Sequence, residues 1–259
     1  MANYWEDRIS KSQAKITEKS RKQIDAQIRK YYKNSAKKVM LDFEATYNKI
    51  LESMQDGKKP TPADLYKLDK YWQLQAQLRK ELEKLGERQI SALTKEFQIN
   101  FFDIYYSYSK DSAQAFSTLD TEAVNQIINS IWCADGKSWS SRIWDNTSKL
   151  AEELGEQLIH CVASGKTTGD LKKLLQERFN VSYSQADALV RTELAHIQTQ
   201  AAQKRYEDYG IQYVQVWADK DERQCDVCGK LHQKRYPIGA QMPIPAHPRC
   251  RCAIVPIVE

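Results

Sequence analysis

The residues with the clearest capacity for chemistry lie in the last stretch of the chain, from Cys225 to Cys252. This stretch holds four of the six cysteines and two of the four histidines of the 259-residue chain. Cys225 and Cys228 have the C-x₂-C spacing that places two thiolates on one side of a tight turn. His247 and Cys250, spaced as H-x₂-C, do the same with an imidazole and a thiolate. Two such pairs separated by a loop are the usual arrangement of a tetrahedral zinc site.

The cluster offers more donors than one zinc ion needs, because zinc takes four N or S ligands. The first three predicted ligands are Cys225, Cys228 and His247. Cys250 is the natural fourth by its spacing, and Cys252 points to the same face of an extended chain and could replace it. His232 is a further candidate. Four good ligands leave no open position, which favours a structural ion over a catalytic one. The competing interpretation is a set of reduced, buried cysteines without metal.

Two predicted strands flank the cluster. After Gly210 the hydrophobic period changes, and residues 211–217 are β-branched and aromatic with partial alternation, which is typical of a strand. Residues 253–258 form a predicted closing strand, and Pro256 places it at a sheet edge. The cluster is therefore expected between two strands of a small α+β domain.

The helix before these strands carries Arg191, Thr192 and Glu193. We expect Ser182 or Ser184 to cap it. Arg191 and Glu193 are two residues apart and so point to different sides of a helix. Either could anchor a buried ion pair or a hydrogen bond to the following strand. A catalytic role is the weaker alternative, because structural ion pairs use the same residue types.

The first half of the chain has the pattern of a helical hairpin. Apolar residues recur at steps of 3, 4, 7 or 8 between residues 9 and 54, which marks one face of an α-helix. After a break at residues 55–60, Thr61 starts a second helix through a capping box completed by Asp64. Its apolar stripe continues to Tyr108. Each helix would have about 40 residues, far more than the roughly 11–12 of an average helix.

The predicted fold is mainly α with a small C-terminal α+β domain and a long N-terminal helical hairpin. We divide the chain into a hairpin at 1–112, a helical linker region at 113–182, and the domain with the Cys/His cluster at 183–259. The composition, 28% charged and 41% hydrophobic with 9 Gly and 7 Pro, is that of a globular, mostly helical protein.

Compartment and membrane association follow from the same sequence. No apolar run approaches the roughly 18 residues that span a bilayer. The N-terminus is polar, so we expect no signal peptide and a cytoplasmic origin. Reducing conditions there favour thiolate ligation of a metal over disulfides.

Positive charge is concentrated at the N-terminus. Residues 1–40 hold 11 Lys and Arg against 4 Asp and Glu, a balance that exceeds the +5 of the whole chain. A basic amphipathic arm of this kind can touch nucleic acid or an acidic protein surface. The alternative is an ordinary solvated helix face.

From about residue 184 to its end the chain resembles the phage Mu F-like head morphogenesis family, the minor head proteins of tailed phages. The order of motifs is specific, whereas C-x₂-C alone is not. The residues that carry the resemblance are Arg191, Thr192, Glu193, Trp217, Asp221, Cys225, Cys228, Leu231 and the run from His247 to Cys252.

The resemblance implies a minor capsid component, present in the virion in a small number of copies. Such proteins associate with the portal vertex during head assembly, so the expected partners are the portal protein and other capsid proteins, with DNA in some members and no membrane. The expected location is the virion head near the portal, and the host cytoplasm during assembly. Some relatives carry enzyme domains after this module. Since the chain ends at Glu259, we expect no appended enzyme.

The competing function is a zinc-supported nucleic-acid-binding protein or nuclease. Basic residues near the cluster favour it, namely Lys230, Lys234, Arg235, Arg249 and Arg251. A nuclease needs a general-base histidine beside an open metal position. His232 and His196 are the remaining candidates in this half, and neither lies in a His-Asn or His-His pair. The sequence therefore favours a protein that is not an enzyme.

Overall fold

The computed structural model describes residues 4–52, 61–107, 119–218 and 224–258. Within these ranges the helices are α1 Tyr4–Glu52, α2 Pro62–Tyr66, α3 Asp69–Tyr106, α4 Thr121–Ile128, α5 Trp139–Ser164, α6 Thr168–Asp208 and α7 Asp226–Leu231. The strands are β1 Tyr213–Trp217, β2 Arg235–Pro237 and β3 Ala253–Ile257. The predicted mainly-α fold with a small C-terminal sheet is confirmed. In the described ranges, none of the helices combines the length and apolar character that a membrane span requires.

The chain divides into two compact units. The first, called here the sheet unit, comprises Met1–Asp25, Ala92–Trp139 and Asp187–Glu259. The second, called the helical unit, comprises Ala26–Ser91 and Ser140–Ala186. Helices α1, α3 and α6 each contribute one part to each unit, while all three strands belong to the sheet unit.

The predicted hairpin is formed by α1 and α3. In the helical unit, Tyr32 hydrogen-bonds Gln89, and two turns further along α1 the Lys38 Nζ lies 2.7 Å from Glu81 Oε2. Higher residue numbers on α1 thus pair with lower residue numbers on α3, so the two helices are antiparallel in this unit. Ser35 Oγ donates a hydrogen bond of 3.0 Å to the Glu81 carboxylate. This carboxylate is buried, and Lys38 and Ser35 are its hydrogen-bond donors.

The second helix of the hairpin begins later than the sequence predicts. The capping box of Thr61 and Asp64 is present, but it starts only the five-residue α2. The Lys67 N–H closes that helix on the Asp64 carbonyl. The Trp72 indole then donates to the carbonyl of Tyr66 at 2.8 Å, which satisfies a backbone acceptor at the end of α2. The long helix α3 therefore starts at Asp69.

The predicted helix start at Ser182 or Ser184 is wrong, because α6 runs without interruption from Thr168 to Asp208. Its actual start is a second capping box. Thr167 Oγ1 accepts from the Asp170 N–H and the Asp170 carboxylate accepts from the Thr167 N–H, both at 3.1 Å. The Ser182 hydroxyl donates to Asn146 Oδ1 in α5 at 3.1 Å, so Ser182 is not a helix N-cap.

The sheet is antiparallel with the order β2-β1-β3. Val214 in the central strand faces Pro256, which lies on an edge strand as predicted. Strand β2 was not predicted, since three residues are too few to show alternation. The inner positions of β1 and β3 are fully buried, and the carbonyl of Ile254 accepts from the side chains of Gln13 in α1 and Tyr206 in α6. These hydrogen bonds fix the sheet to two helices of the same unit.

Candidate metal centre

All five predicted ligands meet in the sheet unit. The Nε2 atom of His247 lies 3.2 Å from the sulfur of Cys225 and 3.1 Å from that of Cys228. The sulfurs of Cys228 and Cys250 are 3.8 Å apart. The donors form two triplets, each with all donor atoms within 4.8 Å of one another: Cys225, Cys228 and His247, and Cys228, Cys250 and Cys252. Cys228 belongs to both triplets and is therefore the centre of the cluster.

Two tight turns position these side chains. Cys225 is the N-cap of α7, and its sulfur accepts from the Cys228 N–H at 3.4 Å. The second turn closes where the Cys250 N–H donates to the His247 carbonyl at 3.2 Å. It requires the left-handed backbone of Arg249, with φ of 62°, which is unfavourable for a residue with a side chain. Some other contact must therefore hold this turn.

Helix α6 supplies that contact through the predicted motif. Thr192 Oγ1 accepts from the backbone N–H of Arg249 at 3.2 Å, while donating to the Ala188 carbonyl at 2.7 Å. The neighbouring Arg191 donates to both carboxylate oxygens of Asp187 at 3.0 Å. The Arg249 guanidinium lies 3.5 Å from the same carboxylate. Thr192 and Asp187 thus tie the second turn of the cluster to the helix.

Glu193 points elsewhere, as expected for a residue two positions from Arg191. It is buried, and its carboxylate accepts from the Trp132 indole N–H at 3.0 Å. The Trp132 ring stacks on His196 with ring centroids 4.4 Å apart. Burial lowers the pKa of His196 to about 4, so this histidine is neutral in the folded protein at neutral pH. Glu193 and His196 therefore belong to the packing of α6.

Trp217 and His232 also serve the packing of the sheet. The Trp217 indole donates to the Asp7 carboxylate at 2.9 Å, which links β1 to the start of α1. The His232 ring meets the Trp217 ring edge-on, and its Nδ1 accepts from the Ala218 N–H at 3.2 Å. His232 lies in neither donor triplet. The predicted motif residue Asp221 lies outside the described residues.

The thiols of the cluster differ in acidity. A hydrogen bond from the Cys228 N–H lowers the pKa of Cys225, whereas burial raises the pKa of Cys228 to about 12. The Cys252 thiol donates to Cys250, which lowers the pKa of Cys250 to about 5 and raises that of Cys252. The Pro248 carbonyl raises the pKa of His247 by accepting from its ring. Cys225 and Cys250 are therefore the thiols of the cluster with lowered pKa, and the thiolate is the form that binds a metal ion.

One distance between the donors fits a tetrahedral zinc site. A tetrahedral zinc site with Zn–S bonds of about 2.3 Å has roughly 3.8 Å between sulfurs, and the Cys228–Cys250 distance is 3.8 Å. The two sulfur–imidazole distances are slightly shorter than such a site requires. The cluster could hold a metal ion, as the sequence predicts.

Sequence reasoning missed two features of this arrangement. Asp187 stands four positions before Arg191, the spacing of an ion pair on one helix face, and this signal was available. The left-handed turn at Arg249 carries no such signal, because glycine or asparagine is the usual residue there.

The fold and cluster define a helical protein whose C-terminal sheet is closed by cysteine and histidine side chains. Residues 152–255 match the family model described as "Phage Mu protein F like protein". The match confirms the predicted resemblance to the phage Mu F-like family over this part of the chain. The match begins in α5, earlier than expected, and contains all five cluster residues together with Arg191, Thr192 and Glu193.

A curated protein shows a more distant similarity. The NAD(+)--arginine ADP-ribosyltransferase EFV of Enterococcus faecalis (strain ATCC 700802 / V583) is 23% identical over an alignment of 185 residues, which covers 64% of this chain. The chain spans only 38% of the length of that relative. No solved structure matches the chain significantly.

Proposed function

We propose that the protein is a minor capsid protein of a tailed phage or prophage that acts at or near the portal during head assembly. The observation that carries the proposal is the family match over residues 152–255. In this view the chain is made in the host cytoplasm and remains in the virion head near the portal. Its partners are the portal protein and other capsid proteins, and a virion contains more than one copy.

Coexpression with the portal protein of the same phage tests this proposal. We expect the two chains to co-purify over an affinity step and a sizing step, and we expect the protein among the components of purified heads by mass spectrometry. A chain that is absent from purified heads and does not associate with the portal protein would contradict the assignment.

We infer further that the protein is not an enzyme. A metal-dependent nuclease would need an ionisable histidine facing an open metal position. His232 uses Nδ1 to accept from Ala218, and His196 is buried against Trp132. The transferase named among the relatives is too distant, and too much longer, for its activity to be carried over. Within the described part of the chain, the nuclease alternative therefore lacks a histidine general base beside the cluster.

The cofactor that we propose is a structural Zn²⁺ ion held by Cys225, Cys228, His247 and Cys250. Cys250 is preferred to Cys252 because it completes the H-x₂-C spacing with His247. Cys252 would remain beside the ion as a hydrogen-bond donor to Cys250. An ion with four protein ligands would link α7, the turn at His247 and the start of β3.

Elemental analysis of the purified chain tests the metal. We expect about one zinc per chain, loss of zinc in Cys225→Ser, and retention in Cys252→Ser. Cys161→Ser is the matched control, because Cys161 is a fully buried thiol of the helical unit. A native chain without stoichiometric zinc would contradict the proposal. Loss of zinc in Cys252→Ser would mean that Cys252, in place of Cys250, is the fourth ligand.

We also propose that α1 contacts DNA. Its portion in the sheet unit exposes several lysines, namely Lys11, Lys15, Lys19 and Lys22. Such contacts weaken steeply with salt, because binding releases counterions from the phosphates. We expect the chain to be retained on DNA at low salt. We expect the four Lys→Gln changes together to lower the salt dependence of its affinity for DNA. No retention at low salt would contradict the contact.

A further inference from the structure

A cleft of about 290 Å³ opens beside Cys250 and Cys252 in the sheet unit. It is bordered by one face of α1, the middle of α6 and the segment that leads into β3. The assignment of the cysteines as metal ligands does not use this cleft, and neither do the proposed contacts of the exposed lysines on α1. Its lining is therefore a separate feature that needs its own explanation.

Positive charge surrounds the cleft. Among the described residues of its lining, four are arginines, namely Arg21, Arg191, Arg249 and Arg251, and one is acidic, Glu18. Asp187 lies against two of these guanidinium groups, so two carboxylates are paired with three arginines. Among these described residues the arginines outnumber the carboxylates, which favours an anionic ligand.

The arginines are held in place before any ligand arrives. Arg21 donates to both oxygens of Glu18, at 2.7 and 2.6 Å, and Arg191 donates to both oxygens of Asp187 at 3.0 Å. A guanidinium that is already fixed loses less side-chain entropy when it binds a carboxylate. Its remaining N–H groups can make the paired, charge-assisted hydrogen bonds that guanidinium groups form with carboxylates.

The floor of the cleft is mostly apolar. Leu194 and Ala195 of α6 are buried there, next to Cys252. Gln198 is also buried, but its carbonyl oxygen already accepts from Thr17 at 2.6 Å. The cleft thus joins an apolar floor to a cationic rim, a combination that suits a ligand with an apolar group next to an anionic one.

This combination distinguishes an acidic protein segment from a nucleic acid. A cavity of about 290 Å³ accommodates one or two side chains, whereas a nucleic-acid strand is tracked by a long groove of positive charge with aromatic surfaces for the bases. We propose that the cleft docks an acidic segment of a partner protein, with an apolar side chain on the floor and flanking carboxylates on the arginines.

An array of octapeptides tests the proposal with the full-length chain as the probe. Each peptide carries one apolar residue flanked by Asp or Glu, and a matched set has Asn or Gln in their place. We expect binding to the acidic set and about tenfold weaker binding in Arg21→Gln and in Arg191→Gln. Arg79→Gln, an exposed arginine of the helical unit outside the cleft, is the matched charge control and should bind like the native chain.

A second variant separates docking in the cleft from general attraction between charges. Ala14 lines the cleft from the exposed face of α1, so Ala14→Trp fills the floor and keeps every arginine. We expect this change to abolish peptide binding while the chain remains folded by circular dichroism. Equal binding by Ala14→Trp and the native chain would overturn the proposal.

Two further outcomes would also overturn it. The first is that none of the acidic peptides binds. The second is that a DNA oligonucleotide binds the native chain more tightly than the acidic peptides do, and that this DNA binding is lost in the same arginine variants. The inference does not depend on the portal assignment. A chain that fails to associate with the portal protein yet binds the acidic peptides through Arg21 and Arg191 would leave the inference standing and reject the proposed location.

Discussion

The two compact units of the chain are stabilised in different ways. In the helical unit, long helices bury continuous apolar stripes, and residues such as Phe43, Leu82 and Leu85 are almost completely shielded from water. The sheet unit builds its C-terminal part from strands of five, three and five residues. That sheet is fixed by hydrogen bonds from Gln13 and Tyr206, and the cysteine and histidine cluster that could hold a metal ion belongs to the same unit.

This difference shows what each kind of element requires. A long amphipathic helix satisfies its own backbone and needs only an apolar face to pack. A small sheet with a proline on its edge strand buries little area, and it gains stability from side chains that connect it to its surroundings. We therefore expect loss of the cluster to affect the sheet unit first, and loss of core volume to affect the helical unit first.

The largest expected effect comes from Cys228→Ser, because Cys228 is shared by both donor triplets. Structural zinc contributes on the order of 10 kcal/mol in small zinc domains. We expect the amides of β1 and β3 to lose most of their protection in hydrogen exchange, while the amides of α5 remain protected. Addition of a strong chelator to the native chain should have the same effect.

Cys161→Ser is the control for that experiment, since Cys161 is equally buried but lies in α5. It should leave the strand amides protected. If Cys228→Ser and Cys161→Ser gave the same exchange pattern, the contrast between the two units would be wrong, and the cysteine cluster would be ordinary core.

Leu85→Ala tests the other side of the comparison. Leu85 is completely buried in the helical unit, and removal of a buried leucine side chain costs about 2–5 kcal/mol. We expect a decrease of that size in the free energy of unfolding by urea, with zinc content unchanged. If Leu85→Ala increased the hydrogen-exchange rates of β1 and β3 amides more than those of α3 and α5 amides, the assignment of Leu85 to a separately stabilised core would be contradicted.

A pH-dependent effect is expected in the sheet unit at His196. Its Nε2 is buried without a hydrogen-bond partner among the described residues, and burial lowers its pKa from 6.5 to about 4. As the pH falls, His196 is therefore protonated in the unfolded chain before it is protonated in the folded chain. The stability that the neutral imidazole provides is consequently complete above about pH 6.5. It falls as the pH drops toward 4, by at most roughly 3 kcal/mol.

Urea unfolding of the native chain and of His196→Phe, measured between about pH 7 and pH 4.5, checks this expectation. The phenylalanine retains a ring against Trp132 but cannot be protonated. We expect the native chain to lose more stability than the variant over this range. Parallel pH profiles for the two proteins would show that His196 does not titrate on unfolding.

Local patterns in the sequence identified much of the architecture and most of the cluster. The apolar periodicity of the hairpin, the C-x₂-C and H-x₂-C pairs and the edge proline each depend on neighbours within a few positions. The break between α2 and α3 was missed because the Trp72 indole reaches back to Tyr66. The continuity of α6 was missed because Ser182 finds its partner in Asn146, 36 residues away in the chain.

The charged cleft was unpredictable for the same reason. Arg21 and Arg191 lie 170 positions apart in the chain, so no local pattern relates them. Arg249 reaches Asp187 only because the Thr192 hydroxyl holds its left-handed backbone. Side-chain chemistry that is assembled from distant segments becomes visible only after the helices have been placed.

The capping box at the start of α6 provides the smallest expected effect and tests a signal that the sequence did contain. Thr167→Ala removes the side chain that accepts from the Asp170 N–H, and loss of such a cap costs about 1 kcal/mol. Thr61→Ala removes the same kind of cap from the five-residue α2, where fewer packed residues depend on it. We expect the larger decrease in urea stability for Thr167→Ala, with zinc content unchanged in both variants. A larger effect at Thr61 would mean that α2, rather than the start of α6, limits the stability of the helical unit.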